Sequence, residues 1–170
     1  MQQHLAPQQT GFRTGYSTQY NLSKISSKIR KGGCVVFFDY RSAFDITPRD
    51  KILQMIDERG ILTSKEVQAL VFLWNQARIK VEASVVVAGR GVPQGSIVSP
   101  LLFSIFTQLL IEHFDDTPVL KSNMMFYADD LAIYSENLPG ILQAIGKVRE
   151  WSAENNMELN NAKSAVMEFL

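Results

Sequence analysis

The stretch Phe126-Tyr127-Ala128-Asp129-Asp130-Leu131-Ala132-Ile133-Tyr134 constrains the fold of this chain more than any other. Two short runs of aromatic and branched side chains flank a pair of adjacent carboxylates, the outline of a β-hairpin with acid at its tip. Burying the arms fixes both Asp side chains at a sheet edge, where neighbouring negative charges are costly unless a cation neutralises them. The pair is a candidate metal site. An ordinary Asp-Asp turn would use the same residues for backbone reasons alone, so the rest of the chain must decide.

With 170 residues, 46% hydrophobic and 20% charged, the composition is that of one folded domain with a sizeable core. The longest apolar region, residues 101–111, is too short to cross a bilayer and is interrupted by Ser104, Thr107 and Gln108. The polar N-terminus lacks the apolar centre of a signal peptide. The expectation is an intracellular protein with no membrane segment, nucleus or cytoplasm being left open. A single cysteine, Cys34, excludes an internal disulfide and a multi-cysteine zinc site. The net charge of zero conceals an asymmetry: residues 1–110 carry 13 Lys+Arg against 7 Asp+Glu, and residues 111–170 carry 4 against 10. A polyanion along the first part and cations held by the second would use that imbalance, which is also of incidental size.

Residues 1–20 read as an extended or loop segment. Leu22, Ile25 and Ile29 then share one helix face, with Lys24, Lys28, Arg30 and Lys31 around it, and Gly32-Gly33 ends the element. Cys34 to Phe38 is a continuous apolar run, as expected of a covered strand, and it exits at Asp39. Thr47-Pro48 is expected to cap a helix with Ile52, Leu53 and Ile56 inside, and Thr63 with Glu66 to form a capping box for a second. Residues 79–87 have strand composition, and the glycine-rich stretch 89–96 should be a shaped loop. Ser99-Pro100 is expected to cap an apolar helix to about Glu112, with the loop's amides aimed from its entrance at phosphate or sugar oxygens. Residues 123–127 and 131–134 are the hairpin arms, Pro139-Gly140 opens another helix, and residues 164–170 make a last strand. Irregular alternation of strands and helices gives an α+β class, with helices on one face of a mixed sheet. If the strand leaving at Asp39 neighbours the hairpin, three carboxylates meet at one sheet edge, a poor structural choice but a good site for two hard cations.

Three segments make this reading specific: Phe38-Asp39-Tyr40-Arg41-Ser42-Ala43-Phe44-Asp45, residues 91–103 from Gly91-Val92-Pro93-Gln94-Gly95-Ser96 to Phe103, and Tyr127-Ala128-Asp129-Asp130. In order and separation they resemble the successive palm motifs of reverse transcriptases, with wording similar to the non-long-terminal-repeat (LINE-type) retrotransposon enzymes. Residues 9–18 resemble the family segment that precedes the first palm strand, and residues 159–164 resemble the fourth palm motif, so the likeness runs over nearly the whole chain. The resemblance implies a polymerase palm-like mixed or antiparallel sheet with helices packed on one face, plus part of the fingers. About 1–32 would be a fingers-side segment and 33–170 the palm, with upstream fingers and downstream thumb absent. It implies RNA-directed DNA polymerase activity, with an RNA template, a DNA primer and dNTPs as partners. Two Mg²⁺ ions are the implied cofactor, with Mn²⁺ as an alternative.

Carried over residue by residue, the likeness makes Asp39 and Asp129 the principal metal ligands, with Asp130 as the supporting carboxylate. Lys163 matches the lysine that protonates the leaving pyrophosphate, and Phe44 the aromatic gate under the incoming sugar. Gln94 and Gly95 match residues lining the nucleotide and template pocket. Tyr127 would approach the primer end, and Tyr40 and Arg41 join the nucleotide-binding set, Arg41 as a phosphate neutraliser. The near-neutral charge implies a weak grip on duplex, because such affinity rests on Lys and Arg, and weak or no activity of the chain alone is expected. A group II intron-type reverse transcriptase and a non-catalytic retroelement remnant or domesticated binding domain are the alternatives.

Overall fold

The computed structural model describes residues 5–76, 78–81, 84–87 and 89–170, the side chains of the 78–81 and 84–87 strands excepted. In chain order the elements are α1 (Thr18–Ile29), β1 (Gly33–Phe38), α2 (Ala43–Ile46), α3 (Arg49–Glu58), α4 (Ser64–Gln76), β2 (Arg78–Val81) and β3 (Ser84–Val87). Then follow α5 (Ser99–Glu112), α6 (Pro118–Ser122), β4 (Met124–Tyr127), β5 (Asp130–Ser135), α7 (Leu138–Glu154) and β6 (Ala165–Phe169). Part of the expected 79–87 strand, residues 82 and 83, lies outside the described residues; the remainder forms the separate β2-β3 ribbon.

The main sheet has the order β4-β5-β1-β6, and each of these strand pairings is antiparallel. Because side chains alternate along a strand, the sheet divides its apolar residues between two faces. Cys34, Val36 and Phe38 of β1, Phe126 of β4, and Leu131 and Ile133 of β5 join the larger core with α3, α5 and α7. There Phe103, Phe106, Ile52, Ile56, Val148 and Trp151 are almost wholly buried, each removal from water being worth about 1.5–3 kcal/mol. Val35, Met125, Ala132 and Tyr134 point the other way and pack with Ile25 and Ile29 of α1. The main helical layer thus covers one face, as expected, while α1 lies over part of the second.

Helix ends follow the local chemistry only in part. Thr63 and Glu66 make the expected capping box, with the Thr63 amide and hydroxyl donating to Glu66 Oε2 at 2.8 and 2.7 Å. Neither Thr47 nor Ser99 caps its helix. The Thr47 hydroxyl donates to the Ala43 carbonyl at 2.6 Å and the Ser99 hydroxyl to the Pro93 carbonyl at 2.7 Å, each preferring a nearby backbone acceptor. Among the described residues, no helix is long and apolar enough to cross a membrane.

Candidate active site

β1 exits at Phe38, and Asp39 continues its alternation onto the face that carries α1. The β1–β5 register pairs Phe38 with Leu131, so one step further along it Asp39 comes opposite Asp130. β5 and β4 are joined by the two-residue turn Ala128-Asp129, with Tyr127 paired to Asp130. Ala128 has φ 58°, a left-handed conformation in which an L side chain is strained. Asp39, Asp130, Tyr127 and Lys163 line one cleft of about 730 Å³, whose other wall includes Thr18, Asn21, Leu22 and Ile25 of α1.

Asp39 is held from the far side of β1. The Asn160 side-chain amide donates to Asp39 Oδ2 at 2.9 Å, and the Asn160 backbone N–H donates to the Asp39 carbonyl at 2.8 Å. The Asp39 N–H in turn donates to Ser164 Oγ at 3.2 Å, and that hydroxyl donates to the Asn160 carbonyl at 2.9 Å. The acid therefore leaves the strand in a fixed direction. Asp130 is less comfortable: burial, and then the charges of Asp129 and Asp39, push its carboxyl above the usual carboxylate range. The three acids share one electrostatic field. Among the described residues, however, no set of three or more His, Cys, Asp or Glu is gathered as a ready metal cage. Carboxylate oxygens under mutual repulsion at a cleft wall are the donor chemistry a hard divalent cation requires.

The hairpin tip is braced by the N-terminal segment. Gln9 is fully buried; its Nε2 donates to the Ala128 carbonyl and to Thr107 Oγ1, both at 3.2 Å, and its Oε1 accepts from the Gly11 N–H at 2.9 Å. Gly11 lies so close that a Cβ there would meet Ala128 N at 2.2 Å. The Phe126 carbonyl accepts from the Thr10 N–H, the Thr10 hydroxyl and the Asn21 side chain at 3.0, 2.6 and 3.1 Å. Gln9, Gly11, Asn21, Asn160 and Ser164 were not foreseen as site residues. Gln9, Gly11, Asn160 and Ser164 stand inside segments whose family likeness is legible, but hydropathy periodicity carries no trace of a buried polar brace.

The other candidates are dispersed. Phe44 is half-buried, its ring stacked on Phe103 at a centroid distance of 4.6 Å. Gln94 is exposed, and its amide donates to both Asp45 oxygens at 3.0 and 3.2 Å, beside Gly95 in a left-handed turn. The Gly91 and Val92 N–H groups do not face a ligand; they donate to the Thr47 and Phe44 carbonyls at 2.8 Å, tying the loop to α2. Arg41 pairs with Glu158 at 2.8 Å on the surface. Tyr40 turns into the core, its hydroxyl 3.2 Å from Ser152 Oγ and pushed up to about 12 by burial, so its side chain does not join the cleft.

An antiparallel sheet on a helical layer, with an acid leaving a central strand beside an acid-tipped hairpin, defines a polymerase palm-type domain. The same fold occurs in apo telomerase from Candida tropicalis truncated from the C-terminal domain (TM-score 0.62, 12% identity, 95% of this chain and 36% of that one). It also occurs in telomerase from Candida albicans in complex with a fragment of telomeric RNA (TM-score 0.61, 13% identity, 89% and 30%). The chain belongs to the reverse transcriptase (RNA-dependent DNA polymerase) family, which it matches over residues 1–169. Its relatives are enzymes of non-long-terminal-repeat retrotransposons. It is 26% identical over 182 residues to the RNA-directed DNA polymerase from mobile element jockey of Drosophila funebris, across 95% of this chain and 19% of that protein. It is 32% identical over 152 residues to the probable RNA-directed DNA polymerase from transposon BS of Drosophila melanogaster, across 78% and 16%. The chain thus spans under a fifth of the length of these two relatives.

Proposed function

We propose that the chain is the catalytic palm of an RNA-directed DNA polymerase, in which a primer 3′-hydroxyl attacks the α-phosphate of a dNTP opposite an RNA template. The observation that carries this is the register bringing Asp39 opposite Asp130, in one cleft with Tyr127 and Lys163. Residues 33–170 form the palm in this reading and residues 1–32 its fingers-side lead.

Asp39, Asp129 and Asp130 are the residues that would hold divalent cations, Mg²⁺ or Mn²⁺. Bound there, such ions supply charge stabilisation to the attacking and leaving oxygens of an in-line displacement. The protein's own contribution is placement. Asn160 and Ser164 keep Asp39 aimed into the cleft, and Gln9 and Gly11 hold the turn that carries Asp129. Tyr127 borders the position of the primer end, and Lys163 on the same cleft wall donates a proton to the departing pyrophosphate. Phe44, anchored on Phe103, presents its remaining edge to the sugar; the Gln94 loop, latched by Asp45, borders the nucleotide and template, and Arg41 assists once released from Glu158.

Primer extension on an RNA template with dNTPs and Mg²⁺ tests the reading. Weak but measurable extension that Asp129→Asn abolishes is expected. Extension that survives this change removes Asp129 from the catalytic set, and no extension from the wild-type chain with either Mg²⁺ or Mn²⁺ favours the non-catalytic alternative.

A further inference from the structure

The 38 residues ahead of Asp39 contain Arg13, Lys24, Lys28, Arg30 and Lys31 and no Asp or Glu. Part of this charge is organised with aromatic rings along the side of α1 that the sheet does not cover. The Arg13 guanidinium lies 5.1 Å from the centroid of the Tyr16 ring, Tyr16 meets Tyr20 edge-on at 5.0 Å, and the Lys24 ammonium stands 4.7 Å from the centroid of Tyr20. Arg13 is also fixed by donating to the Ala6 and Gln9 carbonyls, both at 3.1 Å. Tyr20 and Lys24 are exposed, whereas Asn21 and Ile25 of the same helix are buried against the sheet. The result is an unbroken ladder of cation, ring, ring and cation on the surface.

We propose that this ladder binds single-stranded RNA, its cations taking the phosphates and its tyrosine rings stacking with unpaired bases. Alternating cations and aromatic rings form the chemistry that tracks a single strand without reading its sequence. A protein partner is the poorer fit: of the two exposed apolar side chains nearby, Leu22 lines the catalytic cleft, which leaves Phe12 as a single anchor, and the helical neighbours of Tyr20 and Lys24 are the small polar Ser23 and Ser27. The ladder lies beside the catalytic cleft: Thr18, Gln19, Asn21, Leu22 and Ile25 of the same helix line that cleft, whereas Arg13, Tyr16, Tyr20 and Lys24 do not, so the ladder is a separate track. The choice of RNA rests on the polymerase reading; the single-strand chemistry does not.

Fluorescence anisotropy with a labelled oligo(U), measured on the whole chain without dNTPs or metal, tests the proposal. Tyr20→Ala and Lys24→Gln should each weaken binding about tenfold, while Tyr20→Phe, which keeps a ring, stays close to wild type. Lys24→Gln should also reduce the slope of log affinity against log salt by about 0.7. Circular dichroism melts confirm that the variants fold, as the exposure of both side chains leads one to expect. Unchanged affinity in Tyr20→Ala and Lys24→Gln overturns the proposal. So does an equal loss from Lys65→Gln on α4, or equal binding of duplex. The binding readout contains neither dNTP nor metal, so a chain that binds oligo(U) through Tyr20 and Lys24 but extends no primer upholds the ladder while the catalytic reading fails, and the two failures are read separately.

Discussion

Asp39 owes its direction to a neighbour that hydropathy does not reveal. The Asn160 amide reaches the Oδ2 of this cleft-lining residue, and a hydrogen bond to a charged acceptor is worth more than a neutral one. Asn160→Ala should therefore lower stability by about 1 kcal/mol and raise the Mg²⁺ concentration for half-maximal extension several-fold, with little change in dNTP dependence. A metal dependence identical to wild type would remove Asn160 from the positioning role. Asp130 makes the opposite kind of statement. Its raised carboxyl means that the native state holds this proton more readily than the unfolded chain. Its contribution to stability therefore falls as pH rises from the unfolded carboxylate value of about 4 through the higher native one. Asp130→Asn should raise the melting temperature at pH 7 and give no comparable gain at pH 3. Equal melting of the two proteins at pH 7 would contradict the account of a carboxylate disfavoured by burial and then by the charges of Asp129 and Asp39. A site that destabilises its own fold to hold charge is a recurrent cost of catalysis.

The elements around the hairpin show where packing decides what sequence alone leaves open. Gly11 approaches Ala128 so closely that a methyl group cannot enter without moving backbone. Gly11→Ala should cost about 2 kcal/mol, within the usual range for overpacking, read as a lower urea midpoint, and should depress extension by displacing the turn that carries Asp129. Wild-type stability and activity in that variant would show that the N-terminal segment does not brace the tip. The hairpin arms, β1 and the Thr63 capping box were legible because strand composition and reciprocal capping are local signals. Neither Thr47 nor Ser99 caps its expected helix, because each hydroxyl has a competing carbonyl: Thr47 bonds back to Ala43 at the end of the short α2, and Ser99 bonds to Pro93 across the folded loop before α5. The stripe Leu22, Ile25 and Ile29 announced a helix but not its partner. Its seat on the second face of the sheet is a tertiary fact, visible in the contacts of Ile25 with Val35, Met125 and Tyr134.

At the scale of the molecule, three segments far apart in sequence, the β4-β5 hairpin, β1 with Asp39, and β6 with the turn before it, converge through one strand order, β4-β5-β1-β6. The class of fold was readable from motif wording and order, and the same wording singles out Asp39, Asp130 and Lys163, which line one cleft, and Asp129 on the turn beside it. The neighbour relation of β1 and β5 was only a condition in the sequence; the register from Cys34–Ser135 to Phe38–Leu131 supplies it. Tyr40 was misplaced for the complementary reason: a motif position does not say to which side of the chain its ring turns, and here it turns to Ser152. If Asp39 and Asp129 act as one unit, their losses should not multiply, as is general for groups sharing a single catalytic task. The most direct test is single-turnover nucleotide incorporation on a primed RNA template by wild type, Asp39→Asn, Asp129→Asn and the double variant. Each single change should reduce the rate about a thousandfold, the equivalent of several kcal/mol of charge stabilisation, and the double variant should be no slower than either. Substantial incorporation by either single variant, or losses that multiply in the double, would contradict a shared site.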